Sequence, residues 1–201
     1  MSQAEAIKQL AQKYNVSEKQ IQTDIIYLRM CFIFAEQSKA KRLKVGEFVL
    51  TKQGIIVPGY NGTAPGTSNE CEYVDPNTGN LVSYNHIICG LQNGIYKAAR
   101  EGIPLVDGTG YSTDSPCPRC GPAAISVNLK RFVYCRQYRI IDHLPIMEEQ
   151  GIQICHIPYE IVFPEKGSQE CSTPNIKKSL RQTWQSMWKQ KSMKLLKKMR
   201  S

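Results

Sequence analysis

The chain has 201 residues, 26 of them basic and 17 acidic, and a formal net charge of +9. Its apolar fraction of 41% is sufficient for one domain with a buried core. No apolar run approaches the roughly 20 residues of a membrane-spanning helix, and the polar N-terminus lacks the apolar segment of a secretory signal. We therefore expect a cytoplasmic protein whose 8 cysteines are reduced thiols or metal ligands rather than disulfides.

The positive charge lies at the C-terminal end of the chain. Nine basic residues and no acidic residue follow Glu170, whereas the charges of the first 170 residues cancel. Residues 164–201 are predicted to form a linker and then a basic amphipathic helix over 177–201, whose apolar stripe includes Trp184 and Trp188. This helix is a candidate surface for nucleic acid, an acidic partner or a neighbouring subunit, and packing against its own domain is the alternative.

Two helices are predicted at the N-terminus. Apolar residues recur at helical spacing within residues 4–14, and Ser17 followed by Gln20 is a capping box that predicts a second helix to about residue 38. We interpret residues 1–21 as a helical extension of a domain that covers residues 22–163. A helix-turn-helix that binds DNA is an alternative, although most sequences of this kind form simple helical hairpins.

The middle of the chain alternates between strand-like and helix-like segments. A hairpin is predicted from strands at 47–50 and 55–57, and residues 67–85 are polar and predicted to be irregular. A helix at 92–101 is expected to end at Gly102, because glycine favours the left-handed conformation found at helix C-termini. The remaining predicted elements are strands at 109–113, 130–135 and 152–157 and helices at 122–128 and 144–150. Strands that alternate with helices in this way predict a layered α/β sheet.

Three cysteines form the most informative pattern in the chain. Cys89 lies at the start of a predicted helix, and Cys117 and Cys120 form a C-x-x-C pair in a later turn. Three such thiols supply three corners of a tetrahedral zinc site and leave the fourth open, which is typical of catalytic rather than structural zinc. Zinc nucleobase deaminases have a His or Cys ligand, a glutamate two residues later, and then P-C-x-x-C. Here the residue two after Cys89 is Leu91, so the usual proton shuttle is missing.

Five segments carry a family resemblance: LKVGEFVL, GYNGTAPG, CGLQNGIYKAAREG, YSTDSPCPRC and RFVYCRQY. Together they resemble the deoxycytidylate deaminases of the cytidine deaminase superfamily, most closely those of phages, over residues 22–158. The resemblance implies an α/β three-layer sandwich with a mixed sheet of about five strands and a zinc ion at two helix N-termini. It also implies a pyrimidine deoxynucleotide as ligand, a homo-oligomer, and, for a chain of phage origin, the host cytoplasm as location.

The resemblance further implies two sets of site residues. The zinc ligands are expected to be Cys89, Cys117 and Cys120. The residues that contact the nucleotide are expected to be Asn61, Ser115 and Tyr138. A turn role for Asn61 and a packing role for Tyr138 remain alternatives, and His86 in place of Cys89 would shift the family spacing by three residues.

Three thiolates place more negative charge around the metal than the His and two cysteines usual in deoxycytidylate deaminases. The positive ends of helix dipoles and the guanidinium of Arg119 can offset part of this charge.

The departure at Leu91 leaves the activity open. General acid–base catalysis is typically worth about 10²–10⁴ in rate, and leucine cannot provide it. Glu47 lies where the family has a small residue in a mostly apolar strand. Burying an unpaired carboxylate there would cost free energy, so a role that offsets this cost is expected. Glu47 is therefore a candidate relocated shuttle, and the alternative is that it points outward or pairs with Lys44 or Arg42.

Three functions follow from these observations. The first is a zinc-dependent deaminase of a pyrimidine deoxynucleotide that uses Glu47. The second is an inactive family member that binds a nucleotide or a partner and serves in regulation or assembly. The third is a nucleic-acid-associated protein that uses its basic C-terminal segment.

Overall fold

The computed structural model describes residues 2–164. Its seven strands are β1 (Gly46–Leu50), β2 (Ile56–Tyr60), β3 (Glu72–Val74), β4 (Leu81–Ser83), β5 (Thr109–Asp114), β6 (Arg131–Arg136) and β7 (Gln153–His156). Its six helices are α1 (Gln3–Tyr14), α2 (Glu18–Ala35), α3 (Gly90–Glu101), α4 (Cys120–Ser126), α5 (Leu144–Glu149) and α6 (Tyr159–Val162). The linker and basic helix predicted for the C-terminal segment lie outside the described residues, apart from Pro164. Among residues 2–164, no helix combines the length and the apolar character needed to cross a bilayer.

A mixed five-stranded sheet in the order β2-β1-β5-β6-β7 is the framework of the domain. The β1–β2 hairpin is antiparallel, and β1 is also antiparallel to β5. Strands β5, β6 and β7 run parallel, so their carboxyl ends meet at one edge of the sheet. Crevices at such an edge are where ligands bind in open α/β sheets. The predicted sheet of about five strands is confirmed.

Helices cover both faces of this sheet and give the predicted three layers. On one face, α1, α2 and α6 pack over a core that includes Leu28, Phe48 and Val133. On the other face, α3, α4 and α5 pack over a second core that includes Val49, Leu91 and Phe132. Successive residues of a strand point to opposite faces, which explains why Phe48 and Val49 belong to different cores.

The N-terminal helices follow the sequence signals closely. The Ser17 side chain accepts a hydrogen bond from the Gln20 backbone N–H, as the capping box predicted, and Asn15 has the left-handed conformation that separates α1 from α2. The boundary proposed after residue 21 falls inside α2. Ile7 of α1 belongs to the same buried cluster as Ile25 of α2, so the extension shares the core of the domain.

The prediction that residues 67–85 are irregular is wrong. They contain a two-stranded ribbon, β3–β4, that is separate from the main sheet. The Asp75 carboxylate closes its turn by accepting hydrogen bonds from the Asn77 N–H and the Thr78 hydroxyl. Each strand has three residues, too few for an alternating pattern to be recognised. The short helix α6 was also not predicted.

A buried ion pair joins α2 to the sheet. Both guanidinium Nη atoms of Arg131 on β6 donate to the Asp24 carboxylate, at 2.8 and 2.6 Å. The Tyr111 hydroxyl donates to the same carboxylate at 2.8 Å. The Asp24 side chain is fully buried and that of Arg131 is 10% exposed, so each charge depends on the other.

We expect Asp24→Ala to lower the free energy of unfolding by about 3–5 kcal/mol, because it leaves the Arg131 charge buried without a partner. Urea denaturation of the purified variant measures this. Lys52→Ala is the control, since its ion pair with Asp107 is solvent-exposed and should change the midpoint little. Equal effects of the two substitutions would contradict the role assigned to the buried pair.

Candidate active site

The three predicted cysteine ligands converge in the structure. The Sγ atoms of Cys89, Cys117 and Cys120 all lie within 4.8 Å of one another. Cys89 is the N-cap of α3, and Cys120 is the first residue of α4. The cluster therefore lies at the N-termini of two helices, where backbone N–H groups favour negative charge. His86 is not part of this cluster; it is exposed and stacks on Tyr84 with the ring centroids 5.0 Å apart.

Backbone contacts fix the position of Cys89. Gly62 and Ile88 exchange two backbone hydrogen bonds, which hold the segment before Cys89 against the loop that follows β2. Helix α3 then packs so closely on β2 that a Cβ atom on Gly59 would lie only 2.1 Å from the Gly90 carbonyl oxygen. Gly59, the first glycine of the GYNG segment, thus allows the close approach of α3 that places Cys89 beside the C-x-x-C turn.

The donor set suits zinc. Sulfur ligands at about 2.3 Å from a tetrahedral zinc ion are roughly 3.8 Å apart, and Cys117 Sγ lies 3.4 Å from Cys89 Sγ and 3.5 Å from Cys120 Sγ. Zinc binds the thiolate form. The thiol contacts within the cluster lower the pKa of Cys117 and raise the pKa values of Cys89 and Cys120, so Cys117 is the thiol of the cluster that most readily becomes a thiolate.

A cavity of about 510 Å³ opens over the cysteines, a volume within the usual range of small-molecule sites. Its floor includes Glu47 on β1 and Asp114 at the carboxyl end of β5. Its walls come from the loop between α2 and β1, the β3–β4 ribbon, and the segment after β6. The cavity therefore combines three thiols with the carboxyl groups of Glu47 and Asp114, and Glu72 of β3 lines it as well.

The Glu47 side chain points into this cavity, not outward. The residue is 4% exposed, and its Oε2 atom is buried with no hydrogen-bond partner among residues 2–164. Burial raises the pKa of the Glu47 carboxyl well above its ordinary value, and the negative charges of Cys117 and Asp114 raise it further. Hydrogen bonds from the Ser112 hydroxyl and the Leu91 backbone N–H oppose this rise. A carboxyl with one oxygen unpaired beside a thiol cluster is suited to exchange protons with a ligand.

The space for this carboxyl comes from Gly90. A Cβ atom at position 90 would lie 2.9 Å from Cγ, 3.0 Å from Cδ and 3.2 Å from Oε1 of Glu47. These distances are shorter than ordinary van der Waals contacts, so an alanine at 90 would displace the carboxyl group. Leu91, in contrast, is 1% exposed and belongs to the apolar core under α3. The missing side chain of Gly90 thus leaves room for the Glu47 carboxyl, whereas the Leu91 side chain is packed in the core.

The second carboxylate of the cavity is already paired. Asp114 accepts hydrogen bonds from the Thr113 hydroxyl and from Nη2 of Arg136, the latter at 2.7 Å. Asp114 was not identified from the sequence, because a residue between a strand and a cysteine motif carries no recognisable signal of its own. Because Asp114 is paired, Glu47 is the carboxyl of this cavity whose buried oxygen lacks a partner in the part of the chain that the structure describes.

The three residues expected to contact a nucleotide all line the cavity, with different surroundings. The Asn61 amide is engaged by the protein: Oδ1 accepts from the Val45 N–H and Nδ2 donates to the Leu43 carbonyl. Ser115 is buried, and its hydroxyl accepts the Tyr138 N–H. The Tyr138 ring lies 5.3 Å from the guanidinium carbon of Arg139.

Three arginines surround the mouth of the cavity: Arg42, Arg119 and Arg139. Arg42 donates from Nη1 to the Ser83 hydroxyl of β4, and its backbone N–H donates to the Glu72 carboxylate of β3. Arg119 was recognisable from the sequence, whereas Arg42 and Arg139 were not recognised as site residues. The cluster of basic residues just before KVG and the position of Arg139 next to Tyr138 were the available signals.

Comparison with known proteins places the chain in a family. The profile of the cytidine and deoxycytidylate deaminase zinc-binding region matches residues 21–136. The deoxycytidylate deaminase of Enterobacteria phage T4 is 27% identical, over 65% of this chain and 88% of that protein. ComE operon protein 2 of Bacillus subtilis is 22% identical, over 64% of this chain and 67% of that protein.

Solved structures agree with this result. The crystal structure of the dCMP deaminase of cyanophage S-TIM5 in complex with dCMP and dUMP superposes with a TM-score of 0.59 and 28% sequence identity. The match covers 66% of this chain and 94% of that one. The family profile and the three-cysteine cluster together support zinc as the metal. Because the profile spans more than half of the chain and includes all three cysteines, the chain belongs to the cytidine and deoxycytidylate deaminase family, as a member of its phage type.

Proposed function

We propose that this protein hydrolytically deaminates a pyrimidine deoxynucleotide of the dCMP type, with Glu47 as the proton shuttle. The observation that carries the proposal is the buried Glu47 carboxyl, which faces the cysteine cluster with Oε2 unpaired. An unpaired buried carboxyl is costly, and a catalytic role accounts for that cost. Membership in a deaminase family supplies the reaction class.

The residues of this chain divide the work as follows. Cys89, Cys117 and Cys120 would hold zinc, which when bound lowers the pKa of water and so makes a nucleophile available near neutral pH. Glu47 accepts one proton of the attacking water and transfers it to the ring nitrogen next to the amino-bearing carbon. It then takes the proton of the newly added hydroxyl group and passes it to the departing amine. Water adds to that carbon and ammonia leaves, so a carbonyl group replaces the amino group.

Glu47 can act from a different element than the family glutamate. That glutamate belongs to the helix that starts at the first zinc ligand, where this chain has Leu91. Glu47 reaches the cysteines from β1, and the absent Cβ of Gly90 gives it room. Desolvation by the apolar surroundings favours the protonated form, which is the form that donates to a ring nitrogen and to a leaving amine.

The mouth of the cavity favours a phosphorylated substrate. Arg42 and Arg139 line the same opening, and guanidinium groups bind phosphate through paired N–H donors. Tyr138 would contact the base or sugar, and its backbone N–H donates to the Ser115 hydroxyl. Asn61 contributes to the wall and connects the segments on either side of it. These assignments favour a nucleotide over a free nucleoside.

An inactive, nucleotide-binding protein is the second candidate function. Leu91 favours it, because the residue that carries the proton shuttle in the family is apolar and buried here. The two candidates differ in turnover and share nucleotide binding, so activity assays on defined variants separate them.

Glu47→Gln should lower kcat for dCMP by at least about 10²-fold, because it removes general acid–base catalysis. Zinc content and nucleotide affinity should be unchanged, since glutamine keeps the shape of the side chain. Steady-state assays of ammonia release measure the first quantity, and metal analysis and calorimetry the others. Activity that survives Glu47→Gln would rule out the relocated shuttle. Wild-type inactivity against dCMP, dCTP and cytidine, together with a gain of activity in Leu91→Glu, would establish the inactive protein instead.

Gly90→Ala should reduce turnover with little loss of zinc, because the added methyl group displaces the Glu47 carboxyl. The matched control is the same substitution in a Glu47→Ala background, where the methyl group has space and should cost nothing further. A double-mutant cycle on kcat/KM measures the coupling. Equal losses in both backgrounds would show that Gly90 serves the helix backbone and not Glu47.

Arg42→Gln and Arg139→Gln should each lower kcat/KM for dCMP by about tenfold or more, as expected for loss of a charged hydrogen bond. The value for deoxycytidine should hardly change, because that substrate has no phosphate. Arg100→Gln is the control, since Arg100 is exposed at the far end of α3. A parallel loss for dCMP and deoxycytidine would contradict the phosphate assignment.

A further inference from the structure

His143 contacts both ends of the C-x-x-C turn. Its Nε2 atom lies 2.7 Å from the carbonyl oxygen of Pro116, the residue before the turn. Its ring also lies against Gly121, the residue after the turn, where an added Cβ atom would approach the ring carbon Cδ2 to 2.6 Å. His143 is buried and is the N-cap residue of α5. A side chain from a different element therefore borders the turn at its start and at its end.

The hydrogen bond defines which ring nitrogen carries the hydrogen. A carbonyl oxygen can only accept, so Nε2 is the donor, and Nδ1 of the neutral His143 ring can only accept. Within residues 2–164, Nδ1 is buried and has no hydrogen-bond partner. A buried acceptor without a partner costs free energy, and an apolar side chain at this position would avoid that cost. The bond to the Pro116 carbonyl is what histidine provides and an apolar residue cannot.

The Pro116 carbonyl belongs to the peptide group that leads into the first thiol of the turn. Because a peptide group is planar, a hydrogen bond that holds this carbonyl also fixes the plane that contains the Cys117 nitrogen. The Cys117 carbonyl in turn accepts the backbone N–H of Cys120 at 2.8 Å. His143 is itself anchored, because its carbonyl accepts the N–H of Met147, which is fully buried in the core under α5. The position of the Cys117 side chain thus depends on an anchored ring outside the turn.

We infer that His143 is a positioning residue for the metal site: its Nε2–H group holds the Pro116 carbonyl and so keeps Cys117 in the orientation that it needs to bind zinc. Gly121 belongs to the same arrangement, since a larger residue there would displace the ring. His143 acts through the backbone and touches no substrate. The inference concerns the geometry of the thiols, so it does not depend on whether Glu47 is the proton shuttle.

A histidine that only fills space makes different predictions. In that case the hydrogen bond is dispensable, and a leucine at position 143 should leave the metal site unchanged. If the hydrogen bond positions the turn, a donor is required at the place of Nε2. Glutamine carries its amide N–H donors at about that distance along the side chain, whereas the amide nitrogen of asparagine corresponds to Nδ1.

The experiment measures two properties of the full-length protein. The first is the zinc affinity of the zinc-loaded protein, by competition with a chromophoric chelator. The second is the absorption spectrum of the cobalt-substituted protein, which reports the geometry around the metal. His143→Leu should weaken zinc binding by about tenfold or more, the usual size of effect for outer partners of metal ligands, and should shift the cobalt bands. His143→Gln should recover most of the affinity and the wild-type spectrum.

His156→Leu is the matched control. The Nε2 atom of His156 also contacts a backbone carbonyl, that of Cys135 at 3.0 Å, and Cys135 is not one of the three converging cysteines. The substitution therefore removes the same kind of hydrogen bond from another part of the domain. Zinc affinity and the cobalt spectrum should stay as in the wild type.

Three results would overturn the inference: zinc affinity that His143→Leu leaves unchanged, an equal loss in His143→Leu and His143→Gln, or an equal loss in His156→Leu. If His143→Leu fails to fold, His143→Asn takes its place. Weaker zinc binding in His143→Asn than in His143→Gln then supports the inference, and equal binding overturns it. Both properties are read without turnover, so failure here is distinct from failure of the proposed deaminase activity.

Discussion

Burial of the Glu47 carboxyl is the constraint on which the rest of the site depends. Its Oε2 atom has no hydrogen-bond partner within the described residues 2–164, and an unpaired polar group of this kind costs free energy. The surrounding residues are consistent with keeping it in place: Gly90 has no side chain that would collide with it, and Asp114 is paired with Arg136. Interactions elsewhere in the fold must therefore offset the free energy that the buried Oε2 atom costs.

The fold provides such interactions on the opposite face of the sheet. The Asp24–Arg131 pair and the Tyr111 hydroxyl fix α2 against β5 and β6, two strands whose carboxyl ends lead to the site. The ends of β5 and β6 then place Asp114 and Arg136 side by side. Positions at the cavity are thus set by interactions made well away from it. Because these interactions do not involve Glu47, they can stabilise the fold while the unpaired oxygen of the buried carboxyl costs free energy.

Much of this architecture could be predicted from the sequence, because it depends on short-range signals. The capping box at Ser17, the hairpin around residue 53 and the helix end at Gly102 are local features, and the structure confirms them. The convergence of the three cysteines was predictable because ligand spacing reflects a family geometry. The role of Gly90 was not predictable, since it depends on a steric contact with a residue 43 positions earlier. The hydrogen bonds of Asn61 and the pairing of Asp114 with Arg136 were also inaccessible, because they join residues from different elements.

The contact between Gly90 and Glu47 makes the residues at these two positions depend on each other. In a chain with alanine at 90, a glutamate at 47 would meet the alanine methyl group and be pushed out of the cavity. With glycine at 90, the same glutamate fits. Glycine at 90 is therefore a precondition for a buried glutamate at 47, and related chains with glutamate at the position of Glu47 should carry glycine at the position of Gly90.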